Sequence, residues 1–297
     1  MPTIRPFRAL RYDPEVVGDI ALVVSPPDVV ASPAEVQALL ARHPKNIARL
    51  DVPTDQLGDG PDERYRRAAR TFAAWRSDGT FHRDRRPSLY AYEQVPAGPG
   101  SDGVRTWRGF FGRLRLEASA PGSIAVPLEA IDDARTEDRY RLLRASGANV
   151  SPVVGIFRDE AGRADVLLRS IAERIPDVDI VRDDGTRHRL WVVPDVAAER
   201  VDGARAAVDT GGDTGLAGIA EELIAAAGSG PIRIVDGHDQ YAAALRYRDE
   251  RRTGHVDDGD APFDFVLALL LGIAGPDDPT DLRPRALCGL VVNPHEW

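Results

Sequence analysis

Val235-Asp236-Gly237-His238-Asp239-Gln240-Tyr241 is the stretch of this chain densest in groups that bind ligands or carry protons. It follows an apolar run of strand composition, Ile232-Arg233-Ile234-Val235, and precedes a helical pattern over 241–252. A glycine in such a turn lets the backbone approach a ligand, and the free N–H groups of a helix start form an anion site. Asp236 or His238 could then orient a ligand or move a proton. The plainer reading is structural: Asp236 and Asp239 cap the helix, and His238 hydrogen-bonds nearby backbone. Strand–turn–helix units with Asp and Gly are common, so spacing alone favours the plainer reading.

Elements must position that turn. Apolar segments of strand length alternate with helical patterns along the chain, which predicts an α+β fold: a mixed sheet with packed helices. Ile20-Ala21-Leu22-Val23-Val24 reads as a strand stopped by Ser25-Pro26-Pro27. Ser32-Pro33-Ala34-Glu35 carries a cap, a first-turn proline and a glutamate at the third helical position, predicting a helix to Arg42. A helix over 62–76 places Tyr65, Ala68, Phe72 and Trp75 on one face, a core stripe rather than a ligand platform. Strands are expected at 88–93, 107–116, 152–157, 166–168, 190–193 and 232–235, and helices at 136–145, 216–227 and 241–252. The run 265–274 is half the ~20 residues of a membrane span and reads as a buried strand or short core helix. The Gly- and Asp-rich segment 202–215 is the expected flexible connection and point of internal division.

Composition excludes several function classes. With 38 Lys+Arg against 47 Asp+Glu, a net charge of −9 and no basic block, the chain is a poor nucleic-acid binder. Its single cysteine, Cys288, rules out an internal disulfide framework and a Cys-based zinc cage. No Gly-x-x-x-x-Gly-Lys-Ser/Thr, His-Glu-x-x-His or Gly-x-Ser-x-Gly occurs, and the histidines at 43, 82, 188, 238, 255 and 295 are too dispersed to assign a metal site. The first eight residues carry arginine and proline where an export signal needs an apolar run, so a cytoplasmic location off the membrane is expected.

The turn resembles the Asp-Gly-His-His-Arg signature of domain-of-unknown-function family 1015, a family of uncharacterised conserved bacterial proteins. The resemblance extends over Ile4-Arg5-Pro6-Phe7-Arg8, Ser25-Pro26-Pro27-Asp28-Val29-Val30 and Asn46-Ile47-Ala48-Arg49-Leu50-Asp51-Val52-Pro53. It continues through Leu89-Tyr90-Ala91-Tyr92-Glu93-Gln94, Arg108-Gly109-Phe110-Phe111, Glu137-Asp138-Arg139 and Asn149-Val150-Ser151-Pro152. The whole of 1–297 is therefore taken as one family-like region, short at its C-terminal end by comparison with relatives. The signature is in turn similar to the box of ParB/sulfiredoxin-like proteins, which include free-serine kinases and hold nucleotide phosphates at such a turn.

The resemblance implies a site. Asp236, Gly237, His238, Asp239, Gln240 and Arg139 become its ligand-binding residues, with phosphate held at Gly237 and the helix N-terminus. Glu129, Asp28 and Asp138 become its acids or bases, and a nucleotide with Mg²⁺ the implied cofactor. For each acid, and for Arg283 and Arg285 as replacement cations, a surface ion pair or helix cap is the plainer alternative. The departures are concentrated at polar positions. Asp239 and Gln240 stand where the family signature has His and Arg, so a carboxylate and an amide replace groups suited to phosphate. Leu128 and Ile131 replace polar neighbours of Glu129, and Ala286 and Leu287 replace a His-Arg pair. The expectation is a catalytically weakened member of a family with serine-kinase-like, nucleotide-dependent phosphotransfer. A non-enzymatic small-molecule-binding or regulatory protein, and an interaction protein without a ligand site, stay open beside it.

Overall fold

The run Phe265–Ile273 is apolar on both alternating faces, so it has to be covered on both, and only a central strand satisfies that. In the computed structural model it is central. The structure describes residues 1–26, 32–97, 106–118, 125–127 (backbone only), 132–195, 216, 218–253, 260–274 and 287–295. In chain order the elements are β1 (Ile4–Arg5), β2 (Leu10–Tyr12), α1 (Pro14–Val17), α2 (Pro33–Arg42), α3 (Ala48–Asp51), α4 (Glu63–Ser77), β3 (Phe81–Arg83), β4 (Ser88–Val95) and β5 (Trp107–Arg115). Then come β6 (Ala125–Pro127), α5 (Asp133–Ser146), β7 (Ala148–Asn149), β8 (Val153–Arg158), α6 (Arg163–Ala172), β9 (Val178–Val181) and β10 (Arg187–Pro194). The last are α7 (Ile219–Ala227), β11 (Ile232–Asp236), α8 (His238–Arg252), β12 (Phe265–Ile273) and β13 (Asn293–Pro294).

The main sheet runs β6-β11-β8-β12-β5-β4-β10-β9, with β1 added beside β5. Its pairings are antiparallel except β11 with β6 and β12 with β8, so the fold is α+β with a mixed sheet. Period-two alternation sorts β12 between two cores. Val266, Ala268 and Leu270 face the layer of α5–α8, whereas Leu267, Leu269 and Leu271 face the layer holding Phe7, Leu290 and Val291. A third cluster forms where Phe72 and Trp75 of α4 meet Tyr12, Phe81, Ile47 and Cys288.

Two expected strands are helical. Ile20–Leu22 forms a 3₁₀ turn because the Asp19 carboxylate accepts the Ala21 N–H at 2.8 Å, offering the backbone a local partner. Residues 166–168 belong to α6: Ala164, Leu168 and Ile171 are buried at helical spacing while Val166 is 65% exposed. The expected α2 has its capping box, Ser32 with Glu35, and runs to Arg42. The segment 202–215 lies outside the described residues.

Strands β5 and β12 approach closely at Gly109. A β-carbon there would sit 2.5 Å from the Leu270 carbonyl oxygen, and nothing lies within 4 Å of one at Gly60. Gly109→Ala is therefore expected to lose about 1–3 kcal/mol in urea unfolding, and Gly60→Ala to stay within about 0.5 kcal/mol of the parent.

Candidate functional site

Helix α3 is four residues long and held by its flanks. Asn46 accepts the Ala48 N–H at 3.0 Å and donates to the Leu22 carbonyl at 2.7 Å, while the Ile47 N–H donates to Val23 at 2.7 Å. This delivers Asp51, at 1% exposure, beneath α5. Arg139 of α5, also buried, donates from Nη1 to the Asp51 carbonyl at 2.7 Å and to its Oδ1 at 3.3 Å. Ser151 Oγ donates to the same Oδ1. Asp51 Oδ2 is buried without an N–H or O–H donor, and the Cys288 thiol is the carboxylate's remaining neighbour. The carboxylate lines a pocket of about 40 Å³ with Arg139, Asn149, Ser151 and Gln240. Cys288, fully buried, lies beside it; burial first, then the Asp51 charge, push its thiol ionisation up.

The floor of the pocket is fixed by Asn149. Its Oδ1 accepts from the Leu267 N–H at 3.3 Å, Asn293 Nδ2 at 3.1 Å and His295 Nε2 at 2.8 Å. A backbone N–H can only donate, so the acceptor is the amide oxygen and His295 carries its proton on Nε2. Nδ1 is then the bare nitrogen, and it is buried without a partner. Burial, with Arg113 and Arg251 nearby, lowers the His295 pKa to about 3.

The turn after β11 stands on the pocket's α8 side. Gly237 has φ 80°, and a β-carbon there would lie 3.0 Å from Val153 Cα, so glycine is required by backbone conformation and by packing on β8. His238 is buried, with Nε2 3.1 Å from the Ile234 carbonyl. Asp236 Oδ1 accepts the adjoining Gly237 N–H at 2.8 Å. Asp239 accepts the Asp132 N–H at 3.2 Å and pairs with Arg135 Nε at 2.9 Å, tying the first turn of α8 to that of α5. Gln240 faces the pocket.

The model for the family described as "Protein of unknown function (DUF1015)" matches residues 4–277. This chain belongs to that family. Neither the curated proteins nor the solved structures give a match.

In this DUF1015 protein, segments far apart in sequence meet at one pocket: 46–53 through Asp51, 137–139 through Arg139, 149–152 through Asn149 and Ser151, and the turn through Gln240. Asp138, next to Arg139, points elsewhere and accepts from Arg64 Nη2 and Tyr65 Oη, both at 2.7 Å. Asp28, Glu129, Arg283 and Arg285 lie outside the described residues. Sequence reasoning assigns no role to Asp51, Asn149 or Ser151, although each lies in a segment that carries the resemblance; a lone acid in Leu50-Asp51-Val52 was the available signal. A larger cleft, about 540 Å³, opens at the carboxyl ends of β8 and β12 beside Trp107, Arg108, Asp159 and Arg169. There Arg108 is paired with Glu93 and Arg169 with Asp165, each through Nε. Among the described residues no three His, Cys, Asp or Glu side chains are grouped to hold a metal.

Breaking a buried pair leaves a stranded charge, so Arg139→Met is expected to cost about 3–5 kcal/mol in urea unfolding. Asp138→Asn, at a site whose side chain is 34% exposed, should cost about 1 kcal/mol or less. His295 gives a pH signature. An unfolded histidine takes up a proton below its ordinary 6.5, the native one only near 3, so stability falls as pH drops from 6.5. His295→Gln, which keeps a donor, should flatten the pH slope of the unfolding free energy, read by urea unfolding between about pH 6.5 and 4, by up to about 1.4 kcal/mol per unit.

Proposed function

We propose that this DUF1015 protein binds a small polar molecule through a hydrogen-bond-donating group, an amine or a hydroxyl, at Asp51. The carrying observation is Asp51 Oδ2, a buried carboxylate oxygen without an N–H or O–H donor, on a residue that lines a pocket. An unserved charged acceptor in a buried setting costs several kcal/mol, which a ligand N–H or O–H would relieve. The pocket has room for about three waters, hence for the terminal group of a ligand. Arg139 positions the carboxylate from below, and Gln240 offers an amide at the rim. Binding without catalysis is the favoured reading. A cytoplasmic location fits the one free, buried cysteine, and no described helix is long and apolar enough to cross a membrane.

A phosphate-binding reading draws on the likeness to ParB/sulfiredoxin-like proteins and on one local fact, that α8 starts at Gly237 without a side-chain cap. Against it, Asp236 and Asp239 put two carboxylates at that helix start, where they stabilise the dipole and repel phosphate. Asp28 and Glu129, the proton acceptors this second reading needs, lie outside the described residues.

Thermal-shift titration separates the readings. Ethanolamine, methylamine and small amino acids are expected to raise the melting temperature, by about 2.7 kcal/mol of stabilisation at a hundredfold excess over Kd. Asp51→Asn should abolish the response and Gln240→Ala should weaken it. ATP and pyrophosphate with Mg²⁺ should be silent. A nucleotide response, or its appearance in an Asp239→His/Gln240→Arg variant with the amines silent, would replace the first reading by the second.

A further inference from the structure

The larger cleft, of about 540 Å³, lies at the other end of β8 from the Asp51 pocket. That pocket is built on Asn149 and Ser151, which precede β8, whereas Asp159 follows the strand's last residue, Arg158. The turn after β11 belongs to the pocket's end as well, since Asp236 pairs with Val154. Strand register lays out the floor of the cleft. Arg189 stands opposite Glu93, and Glu93 opposite Arg108. Leu270 stands opposite Phe110, so the same antiparallel ladder, two residues on, carries Gly272 to Arg108. Gly272 in turn pairs with Phe157 of β8. A charged row thus crosses three strands and stops at a glycine.

The glycine makes room for a carboxylate. A β-carbon at 272 would lie 3.1 Å from Asp159 Cβ and 3.4 Å from its Oδ2, so any other residue would push Asp159 aside. Asp159 is 6% exposed and fixed in place: its N–H donates to the Ile273 carbonyl at 2.9 Å, and Oδ2 accepts the Asp165 N–H at 3.1 Å. That is its one side-chain hydrogen bond among the described residues, which leaves Oδ1 for a donor. Arg108 is anchored on the far side of Gly272 by Nε, which donates to Glu93 at 2.7 Å. This leaves its Nη groups for an acceptor. Strand β12 separates β8 from β5, so two sheet spacings, about 10 Å, lie between the backbones that carry these two charges.

The neighbouring charges are already spent. Both Glu93 oxygens are taken, one by Arg108 and the other by Arg189. Asp165 accepts from Arg169 Nε at 2.8 Å. Asp159 and Arg108 both line the cleft and remain as one open acceptor and one open donor, with formal charges that cancel. A simple anion would meet the Asp159 carboxylate, and a simple cation the Arg108 guanidinium. A molecule that carries both signs complements the two at once.

We propose that this cleft binds a small zwitterion, a molecule whose ammonium and carboxylate groups are joined by a short carbon chain. The ammonium donates to Asp159 Oδ1, and the carboxylate accepts from the Arg108 Nη groups in charge-assisted hydrogen bonds. Gly272 is the floor between the two contacts. The cleft volume is that of an ordinary ligand pocket and leaves space for substituents on the chain. This site is separate from the Asp51 pocket and does not depend on what that pocket binds.

The test is a titration of the whole protein labelled with ¹⁵N-glycine, in which the Gly272 amide reports on the cleft and the Gly237 amide on the side of the Asp51 pocket. Glycine, β-alanine and γ-aminobutyrate form one arm; methylamine, acetate and glucose form the other. A saturable shift of Gly272 is expected with at least one zwitterion, at a Kd at least tenfold below that of any member of the second arm. The chain length that binds best measures the span from Asp159 to Arg108. Asp159→Asn keeps an acceptor for the Asp165 N–H but removes the charge, and should weaken the Gly272 response at least tenfold. Arg108→Lys, which keeps a cation for Glu93, should weaken it as well. The proposal is overturned if no zwitterion shifts Gly272, if methylamine, acetate or glucose shifts it equally well, or if Asp159→Asn responds like the parent. Amine binding at Asp51 is read on Gly237, so the two sites succeed or fail independently.

Discussion

A carboxylate at 1% exposure survives only if something offsets its lost hydration, and the arrangement around Asp51 rests on how that is done. Arg139 serves one oxygen and the main chain of the same residue, and Ser151 serves that oxygen again. The pair joins three pieces: α3, too short to be stable alone, the long α5, and the link from β7 to β8, which also packs with Ile47 and Leu50 in one apolar cluster. Both hydrogen bonds from Arg139 and Ser151 to the carboxylate fall on Oδ1, so Oδ2 is left without either of them. The candidate site thus coincides with an ion pair that is incompletely served.

The sheet distributes the remaining tasks. Its α5–α8 face is a continuous apolar core. Its other face is closed by the N-terminal segment and by residues 287–292, over an apolar core that reaches Val178, Ile180 and Leu190 of β9 and β10. Segment 287–295 lies beyond the range matched by the family model, yet it supplies Asn293 and His295 to Asn149 and sets Cys288 beside Asp51. The turn that holds most of the motif chemistry is stitched inward instead: Asp239 is spent on α5, and His238 on its own strand.

Legibility followed the length of each pattern. The capping box of α2, the aromatic face of α4 and the apolar run of β12 each repeat a signal over a full element, and all three stand where the residues put them. Ile20–Val24 and Val166-Leu167-Leu168 read as strands and fold otherwise, because a short unbroken apolar run has no period to tell strand from helix. Val178–Val181 alternates buried and exposed but is only four residues long, so β9 went unseen. The candidate site was harder still. Gly237 and Gln240 were visible through their motif, whereas Asp51 and Ser151 are distant in sequence and acquire meaning only when α3 is folded under α5. Asp159 offered no signal at all, since Gly272 and Arg108 are brought near it by strand register alone.

Cys288 has a consequence for chemistry in the cell. It is wholly buried, and two backbone bonds pin its residue to Ser25. Its raised ionisation keeps it as the unreactive thiol, and its exposure is 0% while residues 287–295 are packed in place. An alkylating or oxidising reagent meets that sulfur only after residues 287–295 lift away from Ser25. The rate of sulfur modification is therefore a clock for the release of residues 287–295, set by the free energy of a local unfolding event. The chain's single cysteine is in effect a built-in gauge of how firmly the floor of its own pocket is fastened.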